Sequence, residues 1–363
     1  MSETPSGRVA ASRLVPAAVG LGVLAVAQPL LDLLGRQPQF LVAHDLSPTE
    51  VTILAVMVVV MPAALFGLSA MLASGRWMAG LLVAIPVFLI FAHAGSRMEV
   101  DGPLMLILAA GLTTLTVATY FRYPPVQEVA RYLVAVPAAV LVYFFVVLPA
   151  PVLAGDTPTG GGEVAREPVP VVVIVLDEFP LASLIDGEGR LLKEQYPSFG
   201  RLAEDGVWYR NAITVETRTT ESIPAILSGL EVGDGLVPTA SQHPRTLFTL
   251  LADSHDVGGM EPVTSLCPDQ LCGDGADGRW IGTWARVASD VAVVYGHLVV
   301  PSPWVDRLPP IDQNWTGFGT SAEADADARS EWDLEEAVGG AVGAGRRAAV
   351  GRGAEVAFHA ADV

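Results

Sequence analysis

Residues 51–72 read VTILAVMVVVMPAALFGLSAML, a run without one charged side chain. A helix needs about 20 apolar residues to cross the hydrocarbon core of a bilayer, and this stretch has them. Four more of the same kind lie at roughly 14–34, 77–94, 103–121 and 132–153. One such segment could be a buried helix of a soluble protein. Five in succession, with almost no internal charge, predict an α-helical membrane domain over residues 1–153. The first is not a cleaved signal peptide, because four further spans follow it and no small-residue cleavage site ends it.

Basic residues near the ends of spans set orientation. With the N-terminus inside, the inner segments hold Arg8, Arg13, Arg76, Arg122 and Arg131, and the outer loops hold Arg36 and Arg97. That asymmetry predicts a cytoplasmic N-terminus. An odd number of spans then puts everything after residue 154 outside the cytoplasm, with the plasma membrane as the location. Asp32 is the one Asp, Glu, Lys or Arg within the spans. Intramembrane carboxylates are often functional, but this one falls near the end of its span and reads as wetted by the interface. No charged pairs or interrupted helices suggest a transport path, so the membrane part reads as an anchor whose first partner is the lipid bilayer.

The chain carries a formal charge of −18, all of it after residue 155, where 32 acidic residues face 14 basic ones. So acidic a surface repels phosphate backbones, which excludes nucleic acid as a partner. Residues 154–168, AGDTPTGGGEVAREP, read as a flexible linker. Val171–Leu176, VVVIVL, is short, β-branched and uninterrupted, and predicts a strand buried on both faces. A helix is expected over Tyr196–Asp205, a strand over Val207–Val215, a turn and helix from Thr219 to Leu230, and a helix over His243–Asp253. Ile281, Trp284, Ala288, Val291, Tyr295 and Leu298 recur at helical spacing, as one face of an amphipathic helix does. Strands alternating with helices predict an α/β domain over 169–336. Cys267 and Cys272, in SLCPDQLC, are the only cysteines. Outside the cytoplasm such a pair is expected to form a disulfide.

Ligands of open α/β sheets bind at the carboxyl ends of the strands. Asp177 and Glu178 follow the VVVIVL strand directly. Two carboxylates there suit a divalent cation, which needs hard oxygen ligands; equally, one of them could cap the next turn. Thr217–Gly229 reads TRTTESIPAILSG. A hydroxyl at the start of that helix can be a nucleophile, since the helix dipole stabilises its alkoxide and an incoming anion. Thr219 or Thr220 can also be an ordinary N-cap. His255 and Asp256 read as loop residues.

The order of these pieces resembles the N-terminal part of the alkaline-phosphatase/sulfatase superfamily: an apolar strand ending in acid, then YPSFGRLAEDGVWYRNA, then TTESIPAILSG. The resemblance covers roughly residues 169–230. It implies a metal-dependent hydrolase or phosphotransferase acting on phosphate or sulfate esters outside the cytoplasm, such as an envelope lipid or glycan ester. It implies Asp177, Glu178 and Thr219 as ligands of Zn, Mn or Ca, with Thr219 also the nucleophile, and the Asp177 carboxylate close to the Thr219 hydroxyl. Two spacings, ten residues back from Gly229 and five back from Pro224, both select Thr219.

The chain also departs from that pattern. Sulfatases carry Cys or Ser in C/S-x-P-x-R; here Thr219 is followed by Glu221 in place of Pro and Ile223 in place of Arg. That favours a direct threonine nucleophile over sulfate-ester chemistry. The family completes its metal site with a distal Asp-His pair, and this chain contains no Asp-His dipeptide. Residues 337–363 hold nine Ala, six Gly and five Val, a low-complexity tail that resembles out-of-frame translation of a GC-rich gene. The expectation is therefore an incomplete catalytic domain, inactive in this chain. The competing reading is a non-catalytic membrane-anchored remnant or interaction protein.

The orientation has a direct consequence. Protease added to intact cells should cut the linker near Thr157–Gly162; protection there until lysis would reverse the topology.

Overall fold

The computed structural model describes residues 11–44, 46–98, 102–148, 152, 171–177, 179–231, 233, 236–261, 263–272, 280–311, 317–318 and 354–362. The linker at 154–168 lies outside them. The chain divides into two compact units, one of residues 1–155 and 276–329, the other of residues 156–275 and 330–363.

The first unit is built on helices. α1 spans Ala11–Arg36, a short α2 follows at Gln39–Ala43, and α3 runs Pro48–Leu72. α4 covers Arg76–Arg97 and α5 Gly102–Arg122. α6 (Pro124–Ala130) continues through a 3-10 segment at Arg131–Ala135 into α7 (Val136–Val147). Five of these stretches are long and apolar enough to cross a membrane, the pattern of a multi-pass membrane protein: Ser12–Arg36, Pro48–Leu72, Arg76–Arg97, Gly102–Arg122 and Pro124–Val147. The fifth starts earlier than the expected 132 because Pro124 and Pro125 open a helix at its first turn, where a missing N–H costs nothing. Val60, Met61, Leu65, Leu72, Ile107, Leu115 and Val146 are all exposed. Apolar surface on that scale is stable against lipid, not water.

α1 is the centre of the bundle. Its most apolar window is 61% buried, against 39% or less for the other four spans. Small side chains make this possible: Ala17, Ala18, Ala25 and Ala27 are fully buried. A Cβ on Gly20 would collide with Leu133, and one on Gly22 with the Phe66 ring. Close backbone approach substitutes here for the hydrophobic effect, which is weak between helices already in hydrocarbon.

Asp32 was expected to be wetted; instead its side chain is only 5% exposed. Its Oδ1 accepts from Arg36 Nε (2.9 Å) and from the Tyr143 hydroxyl (2.8 Å), and its Oδ2 accepts from Arg97 Nη2 (3.1 Å). One carboxylate thus ties α1 to α4 and α7. A buried charge persists only when it is paired and hydrogen-bonded, and this one is.

In the second unit, β1 (Val171–Asp177) is followed by α8 (Pro197–Asp205), α9 (Thr219–Ser228), α10 (Leu247–Leu251), β2 (His255–Met260) and α11 (Asp269–Cys272). β3 is Ala354–Asp362. The three strands pair in parallel in the order β1-β3-β2, with Val171 opposite Val356 and His255 opposite Ala354. Ile223, Leu227, Phe248, Leu251, Val257 and Leu266 form the core, and Val171, Val173 and Val175 pack against it.

Several expectations need correcting. β1 is not buried on both faces: Val172 and Ile174 are 48% and 44% exposed, because the helices pack on the face of the odd-numbered residues. Val207–Val215 is not a strand. A turn at Tyr209–Ala212 breaks it, and Val207, Tyr209, Ile213 and Val215 stand exposed with no ladder partner among the described residues. The helix expected over His243–Asp253 shrinks to α10, since Pro244 delays it. His255 and Asp256 are not loop residues but begin β2. Within the low-complexity tail, AEVAFHAAD forms β3.

The chain then returns to the first unit. α12 (Trp280–Val299) and α13 (Ser302–Val305) follow α11. The α/β domain was drawn through to residue 336, but α12 belongs with the membrane helices. The Tyr295 hydroxyl donates to Ala25 O (3.0 Å), His93 Nδ1 meets Leu298 O (3.1 Å), and His44 Nε2 meets Asp290 Oδ2 (3.0 Å). His44 and Asp290 side chains are 3% and 1% exposed, and the Gly317 N–H donates to the same Asp290 oxygen at 2.7 Å. The helix is amphipathic, but its buried face is shifted from the one read from sequence: Val287, Asp290 and Val294 are buried, Ala288 is exposed, and Val291, Tyr295 and Leu298 are half-buried.

Asp32→Ala should lower the melting temperature of the detergent-solubilised chain by an amount corresponding to about 1–3 kcal/mol, the loss of several charge-assisted bonds. Glu128→Ala breaks a pair with Arg13 in which both side chains are more than 40% exposed, and should cost under about 1 kcal/mol. Equal effects would show that Asp32 does not hold the helices together.

Candidate functional site

The residues singled out for chemistry belong to β1 and α9. β1 ends at Asp177, which stands in register with Asp362 of β3. Glu178 lies outside the described residues, and of Asp177 only the backbone is described. α9 begins at Thr219 and ends at Ser228, where Gly229 takes the left-handed conformation at φ 68°. Only glycine adopts that conformation without strain, which is why the helix stops there.

The start of α9 is not capped in the ordinary way. Its N-cap is Arg218, extended at φ −105°, ψ 138°, and its side chain makes no capping bond. Thr219 is the first helical residue and half-buried, so it is not the N-cap threonine that the sequence equally allowed. The first turn is braced by its neighbours. Ser222 Oγ and Thr214 Oγ1 are 2.7 Å apart, and the Thr214 hydroxyl also donates to Glu216 O at 2.8 Å. These bonds fix the chain that leads into the helix. Ile223 and Leu227, one turn apart, bury α9 in the core that β1 also lines through Val171, Val173 and Val175. The structure thus joins the elements that carry Asp177 and Thr219 through one core.

Among the described residues no three His, Cys, Asp or Glu side chains group as a metal site. Of the three expected ligands, only Thr219 has a described side chain.

Two groups stood out only in three dimensions. Glu261, just after β2, accepts from Thr264 Oγ1 (2.6 Å), Leu266 N (2.8 Å) and Cys267 N (2.7 Å). Its carboxylate holds the turn that presents the cysteines. Cys267 and Cys272 form the expected disulfide, with Cα atoms 5.9 Å apart. His243 is 8% exposed, and its Nε2 has no hydrogen-bond partner among the described residues. Burial pushes this imidazole below its usual value, with the Val237 backbone working the other way. A spacing signal existed for Glu261, which stands three residues before Thr264 and six before Cys267. No comparable signal marked His243, because burial of a lone histidine is a tertiary fact.

Comparison of the chain with family models, with curated proteins and with solved structures gives no match.

Glu261→Ala should loosen the disulfide turn, because three donors lose their acceptor together. The Cys267–Cys272 peptide, two hydrogens lighter than its thiol form by mass spectrometry in wild type, should then be reduced several-fold faster by dithiothreitol. An unchanged reduction rate would mean that Glu261 does not support the bridge.

Proposed function

We propose that this chain is a multi-pass protein of the plasma membrane, with its N-terminus cytoplasmic. Its segment after residue 169 is a sulfatase-like domain of the alkaline-phosphatase type, exposed outside the cytoplasm. Its line of chemistry is hydrolysis or transfer of phosphate or sulfate esters of envelope lipids or glycans, with a divalent metal held through Asp177, Glu178 and Thr219.

The observation that carries this reading is the position of Thr219 as the first residue of α9. Backbone N–H groups and the positive end of a helix dipole at such a position favour an alkoxide and an approaching anion. The ordered sequence from VVVIVLD through YPSFGRLAEDGVWYRNA to TTESIPAILSG supports it as well. Glu221 and Ile223, standing where sulfatases carry Pro and Arg, favour phosphate over sulfate.

The chain itself is inactive in this reading, because it contains no Asp-His dipeptide to complete a two-metal centre of the kind that stabilises both attacking and leaving oxygens. The same observation favours a second reading, a non-catalytic membrane-anchored remnant or interaction protein. The two diverge at the metal. A half-formed ester-hydrolase site still holds Mn²⁺ or Zn²⁺ weakly and loses it in Asp177→Asn, whereas a protein never built on that plan holds none there.

The test is turnover of bis(p-nitrophenyl) phosphate and p-nitrophenyl sulfate by the full chain with added Zn²⁺, Mn²⁺ or Ca²⁺. Wild type and Thr219→Ala should be equally slow. Robust wild-type turnover that vanishes in Thr219→Ala would make this chain an enzyme in its own right.

A further inference from the structure

Arg36 and Arg97 are the last residues of two membrane-length helices, α1 and α4. They are far apart in sequence, yet both bond to the single carboxylate of Asp32. Among the described residues neither guanidinium pairs with any other carboxylate. Among the described residues the cluster holds two positive charges against one negative charge, where these helices terminate; Glu99 and Asp101, just beyond Arg97 in the chain, lie outside the described residues. A span of this length reaches from the hydrocarbon to the headgroup layer, and the ends of such helices are where arginines meet lipid phosphates.

The geometry of the donors matters as much as the charge. Each guanidinium carries five N–H groups. Arg36 uses Nε on Asp32 and one Nη2 proton on the Tyr143 hydroxyl (3.0 Å). Arg97 uses one Nη2 proton on Asp32. The Tyr143 hydroxyl accepts from Arg36 and donates to Asp32 Oδ1, the oxygen that Arg36 Nε also uses, so it bridges the two and orients the guanidinium. Asp32 is buried, but the arginine side chains are 62% and 57% exposed. Among the described residues these two anchored forks thus leave most of their donors unused on half-exposed side chains, and forks of this kind bind phosphate in a bidentate way.

We propose that Arg36 and Arg97, held by Asp32 and Tyr143, form a binding site for the phosphate of an anionic phospholipid headgroup. The buried carboxylate sets the spacing of the two guanidiniums, and the excess charge selects an anionic over a zwitterionic lipid. Free phosphate shares the recognising chemistry, but the location at the ends of two membrane-length helices favours the lipid.

The test uses the full chain in detergent, with binding of phosphatidylglycerol and phosphatidylcholine followed by native mass spectrometry. Wild type should prefer phosphatidylglycerol, and R36Q/R97Q should lose that preference, roughly fivefold for each arginine as expected for one basic residue near an anionic surface. Removing both arginines strands the Asp32 carboxylate, so D32N/R36Q/R97Q is measured beside it; this chain keeps a neutral hydrogen-bonding cluster and should lose the preference equally. Equal binding of the two lipids by wild type would overturn the proposal, as would a preference that survives in both variants. Displacement of phosphatidylglycerol by an equal concentration of inorganic phosphate would assign the site to the free anion and overturn the lipid assignment.

Discussion

The close approach of α1 to its neighbours is the constraint on which the first unit depends. Lipid offers no hydrophobic reward for bringing two apolar helices together, so contact must come from packing and from polar ties. α1 supplies both. Its alanines and the bare backbone at Gly20 and Gly22 admit Leu133 and Phe66, and its one carboxylate gathers α4 and α7. Had Asp32 been leucine, the helices would keep their lengths but lose the bond that sets their rotation. Had Gly20 been leucine, α1 could not be central.

The second unit is organised differently. Its core is an ordinary water-driven cluster in which α9 and α10 cover one face of β1. A carboxylate then holds the irregular part, as Glu261 takes three donors from one turn. The disulfide beside it closes a loop of about six residues, worth about 2 kcal/mol in chain entropy. Asp32 and Glu261 do the same physical work in different solvents. Each gathers three donors onto one carboxylate.

The spans were legible because hydropathy is local: residues 51–72 announce a membrane helix without reference to the rest of the chain. The helix over 281–298 was legible for the same reason. Its buried face, with Val287, Asp290 and Val294, and what it packs against were not, since its partners Ala25, His44 and His93 stand some 200 positions or more earlier. β2 was hidden because HDVGGM has weak strand propensity, and its pairing with β3 is set by register. Val207–Val215 misled in the opposite direction, with strand-like composition and no partner strand. At the candidate site, the start of α9 at Thr219 and the end of β1 at Asp177 could be read from motif order, but the contact between Thr214 and Ser222 that braces the first turn could not.

The return of α12 to the membrane helices and of β3 to the sheet has a consequence for folding. Each unit is discontinuous in sequence, since residues 276–329 complete the first and residues 330–363 the second. β3 stands between β1 and β2 and pairs with both. Contacts between residues so far apart along the chain must close long loops before they gain anything, which makes them slow to form beside the local contacts of a helix.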